Sequence, residues 1–201
     1  MKQERTSNRA PGRSTVLCSP LLLFALLVLL LLVAIGLSAQ QPKASESEIE
    51  AVYVFKFSQF ITWPGIARTK PSFDICVLGD APLAPYLDRT IRGETVDGKL
   101  VIDRHIARTQ DAQGCSILYI SRSEAFRLRQ IITDTHALPV LTVSDIDDFV
   151  DRGGMIQFVL QNGRVRFEVN LAPATQAGLS LSSELLKVAV EVKGASAQGV
   201  H

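Results

Sequence analysis

Histidine is scarce in this chain: His105, His136 and the terminal His201 are the only three in 201 residues. Neither internal histidine has a second His or Cys at ligand spacing, which excludes the usual zinc arrangements. His136 reads as an ordinary loop residue before a strand. No Gly-x-Ser-x-Gly elbow and no Walker loop occurs, so the commonest hydrolase and nucleotide signatures are missing. An excess of one charge is missing too, with 21 basic residues against 20 acidic ones. Without a basic stripe or cluster outside the leader, nucleic acid is excluded as a partner. There is no internal repeat and no interior linker.

What is present begins with a leader. Lys2, Arg5, Arg9 and Arg13 face a single acid, Glu4, and no charge follows from Val16 to Ala39. A basic start, a long apolar run and the small-residue stop Leu37-Ser38-Ala39 read as a secretory signal over residues 1–39. The run also approaches the ~20 residues that span a bilayer, so an uncleaved N-terminal anchor is the alternative. Either way the positive-inside bias sends the remainder across the membrane. Removing four basic residues and one acid from a chain of charge +1 leaves −2 for the exported part. That part has the size of one domain. Cys18 falls in the leader, leaving Cys76 and Cys115. Two cysteines in an oxidising space point to one bridge, against the alternative of two buried thiols. A loop of about 40 residues closed this way stabilises the fold by roughly 4 kcal/mol on the chain-entropy model.

Two overlapping capping boxes, Ser45…Glu48 and Ser47…Glu50, start a helix. Pro64 disfavours helical geometry at Trp63 and is expected to end it. Ile49, Val52, Tyr53, Phe57, Phe60 and Trp63 share the face predicted to be buried, while Phe55 points nearly the opposite way. Strands are expected at 73–79, 99–103, 115–121 and 138–143, alternating with helices near 82–91 and 123–133. Ser144 is expected to cap a short helix ending at Gly153-Gly154. Asn162-Gly163 marks a two-residue hairpin between 155–161 and 164–170. Its register sets Leu160–Val165, Phe158–Phe167 and Ile156–Val169 on an apolar face, with Gln161–Arg164, Val159–Arg166 and Gln157–Glu168 on a polar one. Two short helices follow at 172–177 and 182–188, capped by Ser180 or Ser182. The pattern predicts an α/β fold in three layers. A mixed, mostly parallel sheet is flanked by helices, with a C-terminal antiparallel hairpin, over residues 45–190, and 191–201 are a flexible tail.

Catalysis needs convergent groups, and none is visible. Asp145, Asp147 and Asp148 follow Ser144, where acids suit a helix start better than a metal site. Gly79-Asp80 at a strand end could hold an anion in a small-molecule-binding module, although a plain turn explains it as well. The candidate contact surfaces are Phe55, stranded on the far side of the first helix, and the hairpin face of Arg164, Arg166 and Glu168. A covering loop for Phe55 and a solvated face for the hairpin are the alternatives.

The residues also resemble a known family, the YfiR-like periplasmic proteins. The likeness rests on "FITWP", "FDICVLGD", "CSILYIS", "VLTVSD" and the block "GGMIQFVLQNGRVRFEVNLAPATQAGLSLSSELLKVA", in that order over Glu48 to about Ala189. It implies a small α/β domain, often a homodimer, with no cofactor and no enzymatic activity of its own. It further implies a periplasmic inhibitor that binds the sensing domain of a membrane-bound diguanylate cyclase and lowers cyclic-di-GMP synthesis, hence biofilm formation. Cys76 and Cys115 match one cysteine pair of that family, and the second pair of some relatives is missing.

Overall fold

A computed structural model describes Phe24, residues 44–65 and residues 69–194. The leader, apart from Phe24, and the end of the tail lie outside the described residues. Among the described residues no helix is long and apolar enough to cross a membrane.

Helix α1 (Glu46–Phe57) starts where the capping box places it, with the Ser45 hydroxyl accepting from the Glu48 amide at 3.2 Å. It stops six residues before Trp63. Ser58 turns the chain, its hydroxyl donating to the Phe55 carbonyl at 2.6 Å. The chain then enters strand β1 (Ile61–Thr62). Trp63 is buried as expected, but beyond the helix: its indole N–H donates to the Ser116 carbonyl at 3.0 Å and its ring meets Phe73 edge-on. The proline is therefore not what ends the helix.

The sheet is built from β2 (Phe73–Leu78), β3 (Thr95–Val96), β4 (Lys99–Ile106), β5 (Ile117–Ile120), β6 (Leu141–Ser144), β7 (Ile156–Gln161), β8 (Arg164–Asn170) and β10 (Glu191–Lys193). Their order is β10-β8-β7-β6-β5-β2-β4-β3. Pairs from β4 through β7 are parallel; the β7–β8 hairpin and the β3–β4 edge are antiparallel, and β10 runs parallel to β8. The hairpin register is the expected one, from Ile156↔Val169 to Gln161↔Arg164. Asn162 and Gly163 both take positive φ, as its tight turn demands. Strand β9 (Ser180–Leu181) leaves the main sheet and pairs antiparallel with β1.

Two apolar layers enclose the sheet. On one face α1 and α2 (Ala84–Ile91) pack together over Ile75, Val77, Ile117, Val143, Phe158 and Phe167. On the other, α3 (Leu128–Thr135) and the 146–149 turn cover Leu78, Leu118 and Ile120. The 123–133 segment divides: residues Arg122–Arg127 form a 3-10 turn before α3 begins. Cys76 and Cys115 form a disulfide within this second layer, their Cα atoms 5.8 Å apart.

Two expectations fail here. No helix follows Ser144. Its hydroxyl donates to the Ile120 carbonyl at 2.7 Å and accepts from the Ile146 amide at 3.0 Å, which pins a turn to the strand ends instead. Gly154 lies under the Phe149 ring, where a Cβ would come within 2.1 Å of it. The tail also begins later than 191, because Glu191–Lys193 is a strand. The short helices α4 (Leu171–Gln176) and α5 (Ser183–Val188) are present, with Ser182 as the cap of α5, accepting from the Leu185 amide at 3.3 Å.

Candidate partner-binding site

The first helix is apolar from Ile49 to Phe57 except at Glu50 and Lys56. Such a helix has more apolar surface than one neighbour can cover. Ala51, Val54 and Phe55 are buried in the cluster that holds Leu87 and Ile91 of α2 and Leu83 just before it. Phe55 is only 4% exposed. The expectation that Phe55 is stranded at the surface is thus corrected: α2 covers the side of α1 that the sheet does not. Tyr53 and Phe57 face the hairpin. Phe57 meets Phe167 edge-on at 5.2 Å between ring centres and stacks on Phe158 at 6.0 Å.

The face expected to be most deeply buried is the one left half open. Ile49, Val52, Tyr53, Lys56, Phe57 and Phe60 form one wall of a groove of about 440 Å³, with Phe167 also lining it. Glu184, Leu185 and Val188 of α5 form the other wall. The groove is an open surface feature: Val52 is 41% exposed, Phe60 37% and Val188 61%. The β1–β9 pair ties the two walls together, and the Ser182 amide donates to the Phe60 carbonyl at 2.8 Å. Lys56 and Glu184 bring opposite charges to otherwise apolar walls. The Glu184 carboxyl is held below the usual carboxylate range because its own backbone amide and the Ser183 and Ser182 hydroxyls donate to it.

The hairpin residues do not join this groove. Arg164, Arg166 and Glu168 alternate with buried Val165, Phe167 and Val169, so they project from the opposite face of the sheet. Arg164 is exposed, and Arg166 and Glu168 are half-buried. Burial, and then the Glu191 carboxylate on β10, raise Glu168 above its ordinary value. Phe55, buried in the other layer, shares no surface with them.

The Gly79-Asp80 strand end is occupied by the protein itself. The Asp80 amide donates to the Ser123 hydroxyl at 3.0 Å, and the Ser121 hydroxyl donates to the Asp80 carbonyl. A Cβ on Gly79 would lie 2.5 Å from the Ser123 hydroxyl and 2.7 Å from Glu124. Space there belongs to those side chains rather than to an anion.

Beside the groove lies a small acidic cavity of about 120 Å³ lined by Glu46, Glu50, Arg122 and Asp145, with Phe158, Val159, Leu160 and Val165. Arg122 pairs with Asp145 at 3.4 Å and Asp147 at 3.1 Å, so these acids serve an ion-pair clamp rather than a helix start. Burial first, then the charges of Asp145 and Glu46, push Glu50 up to about 7 against the opposing pull of Arg122. Among the described residues no group of three or more His, Cys, Asp or Glu side chains is placed to hold a metal ion.

Comparison with known proteins bears on this arrangement. A family profile described as YfiR/HmsC-like matches residues 47–190. A search of curated proteins gives no match. Among solved structures, a conserved domain protein from Vibrio cholerae O1 biovar El Tor shares the fold with a TM-score of 0.52 at 12% identity. The alignment covers 75% of this chain and 61% of that one.

Proposed function

Since the chain belongs to the YfiR/HmsC-like family, we propose that it is an exported, periplasmic regulator that binds the sensor domain of a membrane-bound diguanylate cyclase and holds down cyclic-di-GMP synthesis. The observation that carries the reading is the open apolar groove between α1 and α5. Exposed Val52, Phe60 and Val188 on facing walls are what a partner's apolar side chain requires. Lys56 and Glu184, of opposite sign, would set its orientation. Inhibition follows from linkage: a regulator that binds one state of the sensor better than the other shifts the cyclase toward that state. The Cys76–Cys115 bridge suits an oxidising compartment. Arg164, Arg166 and Glu168 are proposed as a separate contact on the other face, whereas buried Phe55 has no part in it.

The test is recovery of the cyclase from envelope extracts by the wild-type protein and by Val52→Glu, Val188→Asp and Arg166→Glu variants. A charge on a groove wall should lower recovery at least about tenfold, the effect of roughly 1.4 kcal/mol, and raise cellular cyclic-di-GMP. Unchanged recovery by both groove variants would remove the groove as the contact.

A second reading, a small-molecule-binding module, is favoured by the groove's volume, which falls within the about 300–1,000 Å³ of ligand pockets. It places the ligand in the groove and not at Gly79-Asp80. A saturable thermal shift with a small apolar metabolite, abolished by Val52→Glu, would support it.

A further inference from the structure

The carboxyl end of a parallel sheet is where open α/β folds usually bind ligands. Here that end is filled at Gly79-Asp80 by Ser121 and Ser123. The amino end is open. The turn after α1, the starts of β2 and β5 and the β3–β4 turn enclose a cavity there of about 390 Å³. It shares no lining residue with the groove. Trp63 and Phe73 supply its aromatic lining, and the indole N–H bond to the Ser116 carbonyl holds the Trp63 ring in place. Thr95, Val96, Asp97 and Lys99 form the facing wall, on a tight turn in which Asp97 and Gly98 both take positive φ.

We propose that this cavity is a binding site for a neutral saccharide. Its polar groups divide into acceptors and donors. Ser58 and Ser72 have given their protons to the Phe55 carbonyl and the Asp74 carboxylate, at 2.6 and 2.5 Å, so toward the cavity their oxygens can only accept. Asp97 adds a carboxylate that makes no hydrogen bond or ion pair with the described residues. Gln59 accepts from Lys56 at 3.3 Å and offers its amide N–H groups as donors. Ser116 is only 4% exposed, and its hydroxyl makes no hydrogen bond with the described residues. A buried hydroxyl without a partner is costly, and the cavity that Ser116 lines is where a partner can reach it. An anion would answer the donors but meet Asp97 as a like charge. A cation would answer Asp97 but leave the donors unmet. A hydroxyl both donates and accepts, so a ring carrying several of them satisfies both sets. Asp97 and Lys99 bring one charge of each sign to the same wall, which favours a ligand with none. The C–H face of a sugar ring is apolar and matches Trp63, Phe73 and Val96 beside these polar groups. The volume lies within the about 300–1,000 Å³ of ligand pockets and suits a mono- or disaccharide. Saccharide binding here is independent of the partner groove.

Trp63 is the only tryptophan of the chain, so tryptophan emission reports on this cavity. The test is titration of protein expressed with its own leader and purified from the cell envelope. The probes are cellobiose, trehalose and N,N′-diacetylchitobiose, followed by Trp63 emission and by calorimetry. At least one of them should bind saturably, with a dissociation constant on the order of 10 μM to 1 mM. Asp97→Asn removes the charge and keeps the turn, since asparagine tolerates positive φ. It should weaken binding about tenfold. Ser116→Ala should weaken it about threefold to tenfold. Circular dichroism of both variants confirms that their folds are intact. Glucose 6-phosphate should bind no more tightly than glucose. No saturable signal from any of the three disaccharides up to about 20 mM, binding unchanged in both variants, or tighter binding of glucose 6-phosphate than of glucose would each overturn the proposal.

Discussion

Glu50 offers a direct check on the electrostatics of the acidic cavity. Its carboxyl is raised from 4.5 to about 7, chiefly by burial and then by Asp145 and Glu46. A carboxyl raised in the folded state keeps its proton where the unfolded chain has released it. The folded state therefore binds more protons between about pH 4.5 and 7, and this residue's contribution to stability falls as pH rises through that window. Taken in full, a shift of this size corresponds to about 3.4 kcal/mol at 1.36 kcal/mol per unit. Glu50 is only half-buried, and solvent screening reduces this to about 1–2 kcal/mol. Glu50→Gln removes the titration while keeping the shape. Urea unfolding of wild type and variant at pH 5 and pH 8 gives two differences in stability. Subtracting one from the other cancels pH-independent effects on helix α1 and the titration of groups common to both proteins. The variant should gain about 1–2 kcal/mol on the wild type between pH 5 and pH 8. A gain near zero, or of opposite sign, would refute the claim that Glu50 is charged at a cost in this cavity.

Replacing Cys76 and Cys115 together by Ala should cost about 4 kcal/mol in urea unfolding, since the bridge closes a loop of 39 residues; dithiothreitol should lower the midpoint of the wild type and leave that of the variant unmoved. Phe57→Ala should cost about 3–5 kcal/mol, because the ring is 1% exposed and packs against both Phe158 and Phe167. Thermal melting reads this loss, and a shift of less than a few degrees would place the aromatic cluster outside the core.

Local signals carried much of the fold. The Ser45 cap, the Asn162-Gly163 turn and the apolar strand runs each depend on residues near one another in the chain, where capping, turn geometry and alternation act. The α/β class and the hairpin register followed from them. The cysteine pair was legible because only two cysteines lie outside the leader. Where the sequence reading went wrong, the deciding contact came from a distant segment. The early end of α1 answers to strand β9, more than a hundred residues on, and strands of two or three residues have too little periodicity to be seen in advance.

An apolar stretch in the first helix and a hairpin with one polar face were already written in the order of the residues. Which side of that helix serves folding was settled only once the chain had packed. A helix with apolar residues on more than one side can bury either, so the choice falls to its neighbours. Helix α2 took Phe55 into the core, and α5 stopped short of covering Val52 and Phe60, which left the groove.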